Sequence, residues 1–408
     1  MIRLAARQNR CADCAEECRG PAGTSLGGWS GTSGKLAHAL GEKLAHRLAC
    51  SAYPITTMEL FLTERCTLAC DYCFVSGRDP GLSMSWEVAK AAVDLLVALS
   101  AERREVNVTF FGGEPLLEFD LMQRVAAYAE ERASIFDKSV RYACTTNGTV
   151  MTDDMARFGV EHGFNYLVSL DGGATAHNAH RRRADRTGSW DLVTENLSRL
   201  RHVQPWIGVR MTVNPDTVEQ LAEGVRTLRR LGVNQFLIAP NLDVDWPAAA
   251  LASWADQMRL VAQLYRASPD RGIAFRVNEL HFTMDDLTAQ YSGGWGCDAG
   301  RTRMAVSCTG DLYPCSRFAS IEEEGRRPFR MGGVREGITA PEIRAAVTDA
   351  RVLERRECGV CRHSEVCRGP CPAVSYSAHG DMRVPHPLDC INGSLRAQFA
   401  EDAPLAPS

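Results

Sequence analysis

From about Tyr53 to Pro240 the chain alternates short runs rich in β-branched and aromatic residues with longer stretches whose apolar positions recur every three or four residues. The short runs predict strands: TTMELFLT (56–63), EVNVTFFG (105–112), SVRYACTTN (139–147), FNYLVSLD (164–171), WIGVRMTV (206–213) and NQFLIAP (234–240). The longer stretches predict amphipathic helices. In SWEVAKAAVDLLVAL, Trp86, Ala89, Val93, Leu96 and Val97 share one helical face. LLEFDLMQRVAAYAEE, WDLVTENLSRL and PDTVEQLAEGVRTLRRLG behave alike, the last opening on Pro and closing at Gly232. Strands alternating with helices predict right-handed βαβ units on a parallel sheet, an α/β fold. Six such units are too few for a full eight-stranded barrel and predict an open, partial (β/α)6 barrel.

Beyond Pro240 the alternation fails. WPAAALASWADQMRLVAQLYRAS predicts one more helix, and from roughly Tyr291 the chain is rich in Gly, Arg, Pro and Cys. Few long apolar runs remain there, so this part is expected to lean on metal or cluster ligation in place of a large core. Before Tyr53 the chain is rich in Gly, Ala and Arg, with one possible short helix, GKLAHALGEKLAHRLA. The expected organisation is an N-terminal extension (1–52), a barrel (53–285) and a small Cys-rich C-terminal domain (286–408).

The 408 residues are 45% hydrophobic and 24% charged, which excludes wholesale disorder and a fibrous repeat. With 46 Lys and Arg against 50 Asp and Glu, the net charge of −4 supplies no basic field for nucleic acid or an anionic membrane. No apolar run approaches the roughly 18 residues of a membrane helix, and MIRLAARQNRCADCAEE lacks the apolar core of a secretory signal. A cytoplasmic protein with no nucleic-acid or membrane partner is expected.

Cysteine changes the picture, because there are 16. Cys11, Cys14 and Cys18 form one group, and Cys66, Cys70 and Cys73 a second. Eight more fall between Cys297 and Cys390, while Cys50 and Cys144 stand alone. Without an export signal such thiols read as metal or redox ligands, not as disulfides.

ERCTLACDYCF places Cys66, Cys70 and Cys73 at C-x3-C-x2-C just after the first predicted strand, at the sheet edge where parallel α/β folds gather ligands. Three thiolates would leave one iron of a cubane cluster without a protein ligand, and an open coordination position marks a catalytic centre. A structural zinc with a fourth ligand elsewhere is the other reading. Three further segments sit at strand ends. FFGGEPLL offers Gly112, Gly113 and Glu114: glycines allow close backbone approach, and a carboxylate receives an ammonium group. CTTNGT offers Thr145, Thr146 and Asn147, and SLDG offers Ser169 and Asp171, followed by HNAHRRR.

Together these resemble the radical S-adenosylmethionine (SAM) superfamily, with C-x3-C-x-aromatic-C at the end of the first strand of a TIM-like barrel. The resemblance implies a 4Fe-4S cluster on Cys66, Cys70 and Cys73, with SAM chelating the open iron. Reductive cleavage of SAM would then yield a 5′-deoxyadenosyl radical that abstracts hydrogen from substrate. It implies that Gly112, Gly113 and Glu114 hold the methionine amino group. Thr146, Asn147, Ser169 and Asp171 would serve the ribose or carboxylate, and Arg181, with Arg182 and Arg183 as neighbours, would reach the SAM carboxylate.

The C-terminal cysteines run C-x2-C-x5-C-x3-C-x18-C through Cys358, Cys361, Cys367, Cys371 and Cys390, preceded by Cys297 and, after Gly310, by Cys315. This resembles the SPASM domain, which binds two auxiliary 4Fe-4S clusters in enzymes that modify peptides and proteins. The resemblance implies Cys297, Cys315 and Cys371 on a nearer cluster, and Cys358, Cys361, Cys367 and Cys390 on a distal one. Such a crossing of one cysteine has a counterpart in two-cluster ferredoxins. The nearer cluster is one ligand short. AQYSGGWG before Cys297 contains no cysteine, and Cys308 is either the missing ligand or a small buried residue beside an open iron.

The expected activity is that of a radical SAM maturase acting on a ribosomally made precursor peptide or protein, forming a thioether, a carbon–carbon crosslink or another oxidative product. A flavodoxin- or ferredoxin-type donor would supply electrons. Anaerobic sulfatase maturation is an alternative, disfavoured because Ser316 and Arg317 follow Cys315 where those enzymes carry Asp. A non-catalytic iron–sulfur or zinc scaffold is the rival of another class. Cys11, Cys14 and Cys18 suit zinc, a further cluster, or nothing.

Overall fold

The computed structural model describes residues 53–75, 79, 81–280, 297–348, 355–364, 367 and 369–401. The N-terminal extension with Cys11, Cys14, Cys18 and Cys50, the 285/286 boundary and the segment before Cys297 lie outside the described residues.

The six expected strands form β1 (Thr57–Thr63), β2 (Glu105–Gly112), β3 (Ser139–Thr146), β4 (Phe164–Ser169), β5 (Gly208–Val213) and β6 (Gln235–Pro240). They pair in parallel and in chain order. Helices Trp86–Leu99, Phe119–Ile135, Asp153–Glu161, Trp190–Val203 and Leu221–Arg230 cross between them. Two of these begin on side-chain caps: Ser85 Oγ accepts the Val88 N–H at 3.3 Å, and Thr152 Oγ1 accepts the Met155 N–H at 3.2 Å. Gly232, expected to close the helix that ends at Arg230, has φ +85°, the left-handed conformation of a helix stop.

The sheet does not end at Pro240, contrary to the failing alternation. β7 (Arg276–Val277) adds in parallel to β6, and β8 (Arg303–Val306) adds in parallel to β1 at the opposite edge. Antiparallel β9 (Asp311–Tyr313), β10 (Gly332–Gly333) and β11 (Gly337–Ile338) then continue the sheet beyond β8. The Cys-rich part therefore shares the barrel's core. Met304, Val306, Leu312, Leu388 and Phe399 are buried in one cluster with Leu60, Val108 and Val209.

Strand periodicity sorts the two faces of the sheet. Met58, Leu60, Val108, Phe110, Tyr142 and Phe164 lie in the apolar layer under the helices, where the Phe164 ring stacks on Phe110 at 5.5 Å and on Tyr142 at 4.8 Å. The alternate positions, among them Glu59, Thr109, Thr145, Asn165 and Arg210, face inward. A closed eight-stranded barrel fills its interior with branched apolar side chains. Polar residues cannot pack that way without partners, and here they line a lumen of about 650 Å³.

Candidate functional site

The Cys66–Cys73 loop leaves the end of β1 and is bolted down on two sides. Gly113 donates its N–H to Thr63 O at 2.8 Å, and Glu114 donates its N–H to Arg65 O at 2.8 Å. A Cβ on Gly113 would stand 2.1 Å from Arg65 O, and one on Gly112 (φ +131°) would stand 2.3 Å from Thr63 O. The two glycines thus let β2 close on the backbone leading into the cysteines. On the other side the Ala69 N–H donates to Arg182 O at 2.7 Å.

The three thiols feel one another's charge. Burial raises the pKa of Cys66, and burial pushes Cys70 up to about 12. Two donors reach the Cys66 sulfur, the Leu68 N–H and the Asn147 side-chain amide, each at 3.4 Å. N–H donors aimed at sulfur, on a loop of mutually close thiols, suit thiolates held by a soft cation. Among the described residues no three His, Cys, Asp or Glu side chains close around a single metal ion.

Glu114 is fully buried beside this loop. Its Oε1 accepts the Thr146 hydroxyl at 2.8 Å and the Leu116 N–H at 3.1 Å, and its Oε2 accepts the Asn147 N–H at 2.7 Å. Burial pushes its pKa up to about 7 against these three donors. Asn147 also donates to Thr67 Oγ1 at 3.0 Å. The structure therefore brings Cys66, Gly113, Glu114, Thr146 and Asn147 to one point on the sheet edge.

A second group closes the far side of the loop. Arg181 donates through Nε to Asp171 Oδ2 at 2.8 Å and through Nη2 to Oδ1 at 3.2 Å, both partners buried. The Thr212 N–H donates to Oδ1 at 2.8 Å, and the Tyr72 hydroxyl donates to Oδ2. Tyr72, the aromatic between Cys70 and Cys73, thus pins the cysteine loop to the ends of β4 and β5, and the Arg181 guanidinium lies 5.2 Å from its ring centre. Of the three consecutive arginines only Arg181 is buried; Arg182 turns out and donates to Asn178 O at 2.9 Å. Ser169 ends β4 opposite Arg210. The aromatic inside the cysteine spacing marked Tyr72 but not its bond to Asp171, and no sequence signal gave a role to the buried His177, which accepts the Asp171 N–H at 3.4 Å.

The C-terminal cysteines fall into two groups by mutual electrostatic coupling. Cys315 couples to Cys297 and Cys371, and Cys297 to Cys371. Cys390 couples to Cys358, Cys361 and Cys367. Cys371 thus sits with the upstream pair although it is adjacent in sequence to the other set. Burial raises Cys297 to about 11. Cys308 is buried, and its thiol donates to Phe61 O at 3.0 Å. Ser316, after Cys315, donates its N–H to Glu59 Oε2 at 2.8 Å, and Arg317 donates through Nη1 to both Asp243 oxygens at 2.8 and 2.7 Å. No described helix is long and apolar enough to cross a membrane.

Residues 60–228 match the family model described as the radical SAM superfamily. The chain is 25% identical over 337 residues to the serine-type anaerobic sulfatase-maturating enzyme of Klebsiella aerogenes, covering 78% of this chain and 80% of that one. Its fold is similar to anSMEcpe with bound AdoMet and the Cp18Cys peptide, with TM-score 0.68, 15% identity, and coverage of 85% and 96%. It is also similar to Streptococcus suis SuiB bound to the precursor peptide SuiA, with TM-score 0.59, 15% identity, and coverage of 93% and 86%.

Proposed function

Because this chain belongs to the radical SAM superfamily and is a radical SAM enzyme, we propose that it is a maturase that oxidatively modifies a residue of a ribosomally made peptide or protein. A 4Fe-4S cluster carrying SAM supplies one-electron cleavage of the sulfonium and hydrogen abstraction from the substrate. Cys66, Cys70 and Cys73 would hold that cluster. The Glu114 carboxylate, its oxygens set by Thr146, Leu116 and Asn147, would receive the methionine ammonium beside Gly112 and Gly113. Asp171 would hold Arg181 in position for the SAM carboxylate, with Ser169 at the same edge. Cys297, Cys315 and Cys371 would hold one auxiliary cluster, and Cys358, Cys361, Cys367 and Cys390 a second. The Cys308 bond to Phe61 O supports a buried, non-ligating thiol and an open position on the nearer cluster.

The observation that carries the peptide reading is the space around Cys73. A pocket of about 300 Å³ lined by Tyr72, Cys73, Asn241 and Asp243 meets the lumen across Phe74 and Arg317, which line both. That volume admits one side chain of a longer molecule from outside. The similar folds of anSMEcpe with the Cp18Cys peptide and SuiB with SuiA support the same reading.

The test is anaerobic incubation of the reconstituted protein with SAM, a reductant or reduced flavodoxin, and short peptides encoded beside its gene. Formation of 5′-deoxyadenosine and a peptide mass change, both lost in Cys66→Ala, are expected. Sulfatase maturation is the second reading, favoured by the Klebsiella relative and opposed by Ser316. A sulfatase peptide converted to formylglycine in the same incubation would replace the first reading with the second.

A further inference from the structure

The inner lumen carries four arginines, Arg210, Arg276, Arg303 and Arg317, against a single carboxylate, Glu59. Three of the four are occupied. Arg303 donates to Glu59 Oε1 at 2.7 Å, and Arg317 is engaged by Asp243. Arg276 donates to Gly272 O at 3.0 Å and lies 5.0 Å from the Trp206 ring centre. Arg303 and Arg317 also face thiols, the first Cys315 and the second Cys371.

Arg210 is different. It projects from the middle of β5 with its surface open to the lumen, and among the described residues no hydrogen bond or ion pair engages its guanidinium. The carboxylate whose charge reaches it, Asp171, is already taken by Arg181, Tyr72 and Thr212. Burial within the barrel, then the like charges of Arg317 and Arg181, lower its pKa. A guanidinium open to the lumen and flanked by like charges draws an anion that enters there. The planar fork of a guanidinium matches a carboxylate through two parallel bonds. The uncharged groups around it, such as Thr145 and Gln235, can hydrogen-bond a polar side chain but cannot neutralise one.

We propose that Arg210 is a specificity-determining residue that receives a carboxylate of the peptide substrate, so that the residue drawn into the lumen is an Asp or Glu, or ends the chain. This rests on the peptide-maturase reading and narrows its substrate class.

The test uses the full chain, anaerobically reconstituted, with two capped probes, acetyl-Gly-Glu-Gly-amide and acetyl-Gly-Gln-Gly-amide. Their affinities are measured by titration for the wild type, Arg210→Gln and Arg210→Lys, alongside the affinity for SAM. A charge-assisted bidentate contact predicts about tenfold or greater preference for the Glu peptide. That preference should be lost in Arg210→Gln and partly kept in Arg210→Lys, with SAM affinity within about twofold of wild type. Equal or unmeasurable binding of the two probes by the wild type overturns the proposal, as does a preference that persists in Arg210→Gln. A tenfold loss of SAM affinity in Arg210→Gln also overturns it, by assigning the carboxylate to SAM. Should Arg210→Gln misfold by circular dichroism, the wild type and Arg210→Lys decide. Release of 5′-deoxyadenosine by the same wild-type preparation reports on the maturase reading alone: its presence without a Glu preference defeats only the present inference.

Discussion

The Glu114 carboxylate accepts the Asn147 backbone N–H at 2.7 Å, and Asn147 turns its side-chain amide to the Cys66 sulfur at 3.4 Å. One residue thus fixes both the candidate ammonium receptor at the end of β2 and the first candidate cluster thiol after β1. Replacing Glu114 by Gln removes the charge and faces an amide N–H toward a backbone or hydroxyl donor. SAM affinity should fall about 10- to 100-fold, the worth of a charged hydrogen bond. Equilibrium titration of the anaerobic protein measures this; unchanged affinity would show that the methionine ammonium binds elsewhere.

The two C-terminal thiols Cys308 and Cys371 should behave oppositely. Cys371→Ala is expected to lower the iron bound per chain, because Cys371 couples to Cys297 and Cys315. Cys308→Ala should keep the full iron content and lose roughly 1 kcal/mol of stability with its bond to Phe61 O. Iron analysis and denaturant melts of both variants check the pair. Iron loss in Cys308→Ala would make it the fourth ligand.

His177 gives the fold a pH dependence of definite sign. Its Nδ1 accepts the Asp171 N–H, and its Nε2 lies 2.9 Å from Ser189 Oγ, which itself donates to Arg181 O at 2.8 Å. A second ring proton would oppose the Asp171 N–H. Burial lowers the pKa to about 4, with Asp171 pulling it up and Arg181 down. The unfolded chain, titrating near 6.5, binds more protons between those values, so stability falls as pH drops through that window. Wild type should lose about 2 kcal/mol between pH 7 and pH 5 from this group. Urea melts at both pH values should show His177→Asn lacking that part of the slope.

Gly113→Ala should disturb the cysteine loop without touching a cysteine. Its Cβ would meet Arg65 O at 2.1 Å, and backbone on both sides must move to relieve it. A loss of roughly 1–3 kcal/mol is expected, with weaker iron retention at the three-cysteine loop. Thermal melts and iron release to a chelator measure both; a variant matching wild type would show that β2 does not brace the loop.

How far these features could be read beforehand follows from the strength of each local signal. β1 to β6 were legible to within two residues, because their apolar runs are bounded by helical periodicity. β8 was not: Arg303–Val306 is four residues long, set among Gly, Arg and Cys, and acquires strand character by pairing with β1 and β9. The grouping of Glu114, Thr146 and Asn147 with Cys66 was foreshadowed by their positions at strand ends. The motif after SLDG pointed to Arg181 ahead of Arg182 and Arg183, whereas its burial against Asp171 and Tyr72 is a tertiary matter that no spacing shows. The lumen arginine left a trace that went unused. Arg210 interrupts the apolar strand GVRMTV, as Glu59 interrupts TMELFLT, and a charge in mid-strand marks an inward-facing polar cavity or an unpaired edge.

The central claim is that Cys66, Cys70 and Cys73 hold an iron–sulfur cluster on which SAM is cleaved. Anaerobic reconstitution followed by reduction in the presence of SAM tests it most directly, with 5′-deoxyadenosine quantified by chromatography. The wild type should release it and Cys66→Ala should not. A zinc-loaded, colourless wild-type protein that leaves SAM intact under reduction would contradict the account.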